Sequence, residues 1–156
     1  MNIKVGKELK SSNLLCLRKK MKQSDVQKEL EKMGSFINEN GIKKTGSLIS
    51  STQSVQEVDG EQLLEMEFLL PIDKEVDGNN EFLFKPQFHL MNAVYMRYQG
   101  PVGRLPDAYK EIEAFINKEK LQQITSVYST NSNEEEVRKG ELPVFDLYVG
   151  VNPSIL

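Results

Sequence analysis

The two halves of this sequence repeat one pattern at a constant offset of 79 residues. Asn13-Leu14-Leu15-Cys16-Leu17-Arg18 aligns with Asn92-Ala93-Val94-Tyr95-Met96-Arg97, and Phe36-Ile37-Asn38 aligns with Phe115-Ile116-Asn117. Ser47-Leu48-Ile49-Ser50-Ser51 falls on Ser126-Val127-Tyr128-Ser129-Thr130, and Glu67-Phe68-Leu69-Leu70-Pro71-Ile72 on Asp146-Leu147-Tyr148-Val149-Gly150-Val151. Identity is low, about ten positions in roughly sixty, but hydrophobic class is kept at nearly every core position without a gap. The period is too long for a solenoid repeat and points to two supersecondary modules. They span about residues 13–72 and 92–151 of one domain covering 1–156, with a hinge rich in Asp, Gly and Asn at about 73–80. Two such copies related by a pseudo-twofold axis would leave a groove at their seam, and a ligand is expected there.

Hydrophobic periodicity predicts the elements of each module. Asn13–Lys19 is an apolar run of strand length, preceded by a short basic segment in which Ile3 and Val5 suit an edge strand. Ser24-Asp25 reads as a helix start with serine as cap. Val26, Leu30, Met33, Phe36 and Ile37 then recur at helical spacing up to Asn40-Gly41. Strands are expected near Thr45–Gln53 and Leu63–Pro71, with Asp59-Gly60 as a hairpin turn between them. The second module reads alike. Phe82–Phe84 and Phe88–Gln99 are strands, Leu105-Pro106-Asp107 opens a helix with apolar positions Ala108, Tyr109, Ile112, Phe115 and Ile116, and Gln123–Thr130 and Val144–Val151 are strands. The polar run from Asn131 to Glu136 reads as a solvated loop. The expected fold class is α+β: a duplicated strand–helix–strand–strand module whose antiparallel sheets carry helices on one face, with a groove between modules.

Composition narrows the function classes. With 156 residues the chain can bury about 68–70% of its unfolded surface. A net charge of −3 gives no electrostatic case for nucleic acid and suits a cationic ligand slightly better than an anionic one. The single cysteine, Cys16, excludes an intrachain disulfide and fits a reducing compartment. No apolar stretch reaches the roughly 20 residues of a membrane-spanning helix, and the N-terminus lacks a signal-peptide core, so a cytoplasmic location is expected. No phosphate-binding glycine loop, GxSxG, HExxH or CxxC occurs, and no metal or cofactor is expected.

Ala93-Val94-Tyr95-Met96-Arg97-Tyr98-Gln99-Gly100-Pro101, followed by Leu105, Ala108-Tyr109 and Phe115-Ile116, and the closing strand Phe145-Asp146-Leu147-Tyr148-Val149-Gly150-Val151, resemble a known pattern. Together they resemble the GyrI-like small-molecule-binding domain, also called the bacterial transcription-activator effector-binding domain, over about residues 13–152. The resemblance implies two strand–helix–strand–strand modules. It also implies one of three uses: sensing of flat, greasy cations by an acid in an aromatic pocket, inhibition of DNA gyrase, or hydrolysis of reactive cyclopropane drugs. In the family's closing strand an acid stands two residues before an aromatic and four before a proline. Asp146 and Tyr148 match the first two positions; Gly150 departs from the third, and Asp in place of Glu shortens the reach by one methylene. With no DNA-binding segment preceding the domain, the expectation is a member of the stand-alone branch.

Strand parity selects the candidate residues. Phe145, Leu147, Val149 and Val151 share the face beneath the helix, and Val144, Asp146, Tyr148 and Gly150 share the other. Glu67 is the repeat partner of Asp146. Two acids facing one cleft would focus negative potential on a cation; alternatively, both face water. Arg97 and Arg18 are likewise repeat partners, placed either in the cleft or in salt bridges between neighbouring strands, and pairing with the acids would undercut a cationic ligand. Tyr95, Tyr128 and Tyr148 could form an aromatic wall offering cation–π attraction, or could simply pack. His89 and Cys16 lack the partners that catalysis needs. The expected function is binding of a small amphipathic molecule, an aromatic cation being the form the acids would favour. The alternatives are a protein-interaction or inhibitor module with a protein partner, and a hydrolase using Glu67 or Asp146 as general base.

Overall fold

The computed structural model describes residues 2–153. Its elements are β1 (Ile3–Met21), α1 (Val26–Glu39), β2 (Ile49–Val58), β3 (Glu61–Pro71), β4 (Leu83–Gln99), α2 (Leu105–Lys118), β5 (Gln123–Asn131), α3 (Glu134–Arg138) and β6 (Val144–Val151). The fold is mixed α+β and is dominated by strands. Two compact units result: residues 11–88 form the first, and residues 2–10 with 89–153 form the second. The chain passes between them within β1 and again within β4.

In the first unit the strand order is β1-β3-β2, antiparallel throughout. Alternate residues of β1 and β3 meet the apolar stripe of α1. Leu15, Leu17 and Met21 join Phe68, Leu70 and Met33 in one core, completed by Ile42, Ile72 and Phe82. Val26, Leu30, Phe36 and Ile37, the other positions of the predicted helical stripe, pack against it. In the second unit the order is β4-β6-β5, again antiparallel. Val94 and Met96 of β4, Leu147, Val149 and Val151 of β6, and Val127 of β5 meet Ala108, Ile112 and Ile116 of α2. Each fully buried Val, Leu, Ile, Phe or Met side chain among them contributes about 1.5–3 kcal/mol, which is what holds each helix on its sheet.

The units correspond in their helices and in the register of one strand pair each. Helices α1 and α2 begin and end 79 residues apart, as do the 3-10 turns Gln23–Asp25 and Val102–Arg104 that lead into them. Arg18 stands opposite Glu67 as Arg97 stands opposite Asp146. Both helices close alike: Ile42 N–H donates to the Ile37 carbonyl at 2.9 Å, and Leu121 N–H to the Ile116 carbonyl at 3.0 Å. This closure requires a left-handed residue just before it. In the first unit that residue is Gly41 (φ 63), but in the second it is Lys120 (φ 57), whose Cβ is strained there.

Several local expectations need correction. The basic N-terminal segment and the run Asn13–Lys19 are one 19-residue strand, bent where Gly6 (φ 68) and Asn13 (φ 54) leave extended geometry. Phe84 and the run from Phe88 likewise fuse into β4, Pro86 notwithstanding, while Phe82 precedes it. Ser24 is not a cap: a 3-10 turn intervenes, and neither it nor α1 has a side-chain cap bond. The loop after β5 contains the short helix α3, anchored by Asn133, whose side-chain carbonyl accepts from Val144 N–H at 2.7 Å. Residues 73–80 lie within the first unit. There Asn79 Oδ1 accepts the backbone N–H groups of Glu81 and Phe82 (2.8 and 2.7 Å) and helps seat the buried Phe82 ring. Asp59-Gly60 does make the hairpin turn, with both residues at positive φ (52 and 78). No helix among the described residues is long and apolar enough to cross a membrane.

The mismatch at the helix ends is testable by equilibrium denaturation. Lys120→Gly should stabilise the chain by about 0.5–1 kcal/mol, and Gly41→Lys should destabilise it by about 1–2 kcal/mol, since nothing crowds the Gly41 position and only the backbone conformation resists.

Candidate functional site

On the face of β4-β6-β5 turned away from α2, the cross-strand register sets Tyr95 opposite Tyr148 and Arg97 opposite Asp146, with Tyr128 of β5 on the far side of Tyr148. Opposite residues of an antiparallel pair lie about 4.5–5.5 Å apart, within reach of these side chains. Asp146 is 8% exposed. Its Oδ1 accepts from Tyr95 hydroxyl at 2.5 Å and from Arg97 Nε at 2.8 Å, and its Oδ2 accepts from Arg97 Nη2 at 3.2 Å. The fork–fork pair with arginine fixes the carboxylate in plane, and the phenol completes it. Arg97 keeps much of its guanidinium in water, its side chain being 58% exposed. The Tyr95 and Tyr148 rings meet at 5.1 Å between centroids and 52° between planes, a tilted contact worth about 0.5–1.5 kcal/mol beyond burial.

The protonation states follow from these contacts. Burial first, and then the Asp146 carboxylate, push the Tyr95 hydroxyl up to about 12. Burial and Asp146 also raise Tyr148. The Asp146 hydrogen bond and charge hold Arg97 still more firmly cationic. At neutral pH the cluster is a neutral phenol on a neutralised ion pair. Beside the two rings, Lys4, Lys7 and Glu8 of β1 complete the lining of a cavity of about 270 Å³. Glu8 pairs with His89 Nε2 at 2.6 Å. Lys4 and Lys7 are exposed and three residues apart; strict alternation would put them on opposite faces, but Gly6 breaks the alternation and both reach the cavity.

The sequence-derived candidates are placed unequally. Asp146, Arg97, Tyr95, Tyr148 and Tyr128 share one face of one sheet, although Tyr128 is buried and is not part of the cavity lining. Arg18 and Glu67 stand opposite each other in the first unit, yet Arg18 Nε bonds to Glu65 Oε2 at 3.1 Å instead. Glu67 is 9% exposed and accepts from Gln53 Nε2 at 3.5 Å. Cys16 and Leu69 occupy the positions equivalent to the two tyrosines. Burial pushes the Cys16 thiol up to about 11, which removes it as a nucleophile. Gly150, where the resemblance expects proline, donates its N–H to Thr125 Oγ1 at 2.8 Å, and a Cβ there would meet Thr125 Cγ2 at 2.9 Å. Proline is incompatible with this arrangement. Lys4, Lys7 and Glu8 were not singled out from sequence; the one available signal was a glycine inside a run of strand character. No group of acids, histidines and cysteines among the described residues could hold a metal ion.

No protein-family model matches the chain, and no curated protein matches it. Solved structures do. The chain is similar to EcmrR in the EcmrR–DNA complex, with TM-score 0.77 and 13% identity; 98% of this chain covers 58% of that one. It is similar to the isolated EcmrR C-terminal domain, with TM-score 0.70 and 12% identity over 99% of this chain and 100% of that domain. It is also similar to SAV2435 bound to tetraphenylphosphonium, with TM-score 0.57 and 11% identity over 98% and 95%. The chain thus has the fold of these domains, and it spans little more than half the length of EcmrR.

The raised Tyr95 hydroxyl gives a pH dependence. Because the folded-state value lies above the ordinary tyrosine value of about 10, the contribution is complete below that pH and is lost as pH rises through about 12. Denaturation measured from pH 9 to 12 should show a loss that Tyr95→Phe removes in part, leaving the share due to Tyr109 and Tyr148, both also raised by burial. At neutral pH, Asp146→Asn should cost about 1–3 kcal/mol.

Proposed function

We propose that this chain binds a small amphipathic molecule on the polar sheet face of its second unit, with the Tyr95–Tyr148 pair as the seat. The observation that carries this reading is the partly buried, tilted ring pair opening on a cavity and tied to the neighbouring Asp146–Arg97 ion pair on the same face. Rings that merely filled space would not need a hydroxyl locked to a buried carboxylate. A pre-set aromatic seat with few polar contacts is how small-ligand sites spend least entropy on binding. The cavity lies just below the usual volume range for drug-sized ligands, so a molecule of one or two rings fits this reading best.

The structural neighbours support the same reading. SAV2435 has this fold and was captured with tetraphenylphosphonium, a large apolar cation. The EcmrR C-terminal domain has it as well. We therefore propose that the chain is a GyrI-like effector-binding domain built by duplication of one module, with Tyr128 backing the aromatic wall. The DNA of the EcmrR complex is not carried over, since a net charge of −3 offers no electrostatic footprint for it. Arg18 and Glu67 sit in the unit that lacks the tyrosine pair, so the aromatic seat rests on one unit alone.

The chain has no tryptophan, so tyrosine fluorescence can report binding directly. For any aromatic ligand found by thermal shift, Tyr95→Ala and Tyr148→Ala should each weaken binding about tenfold or more. Val55→Ala, on the exposed hairpin of the first unit, should not. Equal affinity in both tyrosine variants would refute this assignment of the seat.

A further inference from the structure

We infer that the ligand is an organic anion, a small aromatic carboxylate in class, rather than a cation; this rests on the tyrosine seat proposed above. A free carboxylate would be the strongest partner for a cation, and both acids near the rings are engaged. Asp146 is occupied by Arg97 and by the Tyr95 hydroxyl, and Glu8 is paired with His89 at 2.6 Å. The lysines are in the opposite condition. Lys4 and Lys7 line the same cavity as the rings, and neither has an ion-pair partner among the described residues. Around the seat, then, the Arg97–Asp146 pair neutralises itself, and the two lysines of the cavity lining outnumber its one carboxylate, Glu8, which is already hydrogen-bonded to His89.

Geometry supports the same sign. Gly6, at φ 68, resets the side-chain alternation of β1, so that two lysines three residues apart reach one cavity. An aromatic ring laid on Tyr95 and Tyr148 would place a carboxylate substituent toward that rim, where exposed ammonium groups give an attraction that salt can screen. The chain's mildly negative overall charge does not oppose this, because the local arrangement and not the total sets the potential in a small cavity.

The test uses three probes with one ring system: 2-naphthoate, 2-naphthylmethanol and 2-naphthylmethylammonium. Each is titrated calorimetrically into the full chain at low and at high salt. The expected result is that naphthoate binds about tenfold or more tighter than the ammonium probe at low salt, that salt narrows the gap, and that Lys4→Gln/Lys7→Gln closes it. Both lysines are exposed, so circular dichroism should find that variant folded. If the ammonium probe binds as well as naphthoate or better, and Tyr95→Ala or Tyr148→Ala weakens it, the seat stands and the charge assignment is wrong. If no probe binds, or if neither tyrosine variant weakens binding, the seat and the charge assignment both fail.

Discussion

The antiparallel register of β6 against β4 is the constraint on which the polar face depends. It sets Arg97 opposite Asp146 and Tyr95 opposite Tyr148 in consecutive same-face pairs, so one carboxylate can organise an arginine and a phenol at once. A slip by one residue would turn Asp146 toward α2 and Leu147 toward water. The apolar face forbids that slip, because Leu147, Val149 and Val151 are needed against Ile112 and Ile116. Burial on one side of the sheet thereby fixes the chemistry on the other.

The same register in the first unit produces a different face. Arg18 stands opposite Glu67, but the neighbouring acid Glu65 captures it, and Cys16 and Leu69 replace the two tyrosines. The backbone scheme is repeated while the side-chain chemistry is not. Packing against a helix demands apolar residues on the inner face of either sheet, whereas the opposite face is under no such demand. Lys120 at the left-handed closure of α2, where α1 has Gly41, shows the same tolerance of difference at a cost of about 1 kcal/mol.

Much of this was legible in the sequence. The helices could be read from Val26, Leu30, Met33 and Ile37 and from Ala108, Ile112 and Ile116, because burial of one stripe imposes the helical period. The parity of β6 separated Asp146 and Tyr148 from the core side correctly. Features decided by longer-range geometry were not legible. Whether Arg97 meets Asp146 or solvent depends on the partner strand's register, and the identical-looking Arg18 chose another acid. The reach of Lys4 and Lys7 into the cavity depends on a bend at Gly6 that periodicity counting treats as a break. The α3 turn was hidden because four charged residues and a single valine carry no stripe to announce a helix.

The central claim is that the aromatic seat rests on an ion pair that stays closed when the ligand arrives. It can be tested by following the Arg97 Nε–H resonance and the ring protons of Tyr95 and Tyr148 by NMR during titration with a bound aromatic ligand. This account predicts that the ring protons shift while the Arg97 Nε–H keeps its hydrogen-bonded position. Movement of that resonance to a solvent-exposed value, with the rings unaffected, would mean that Asp146 is released to meet the ligand and that the seat has been assigned to the wrong groups.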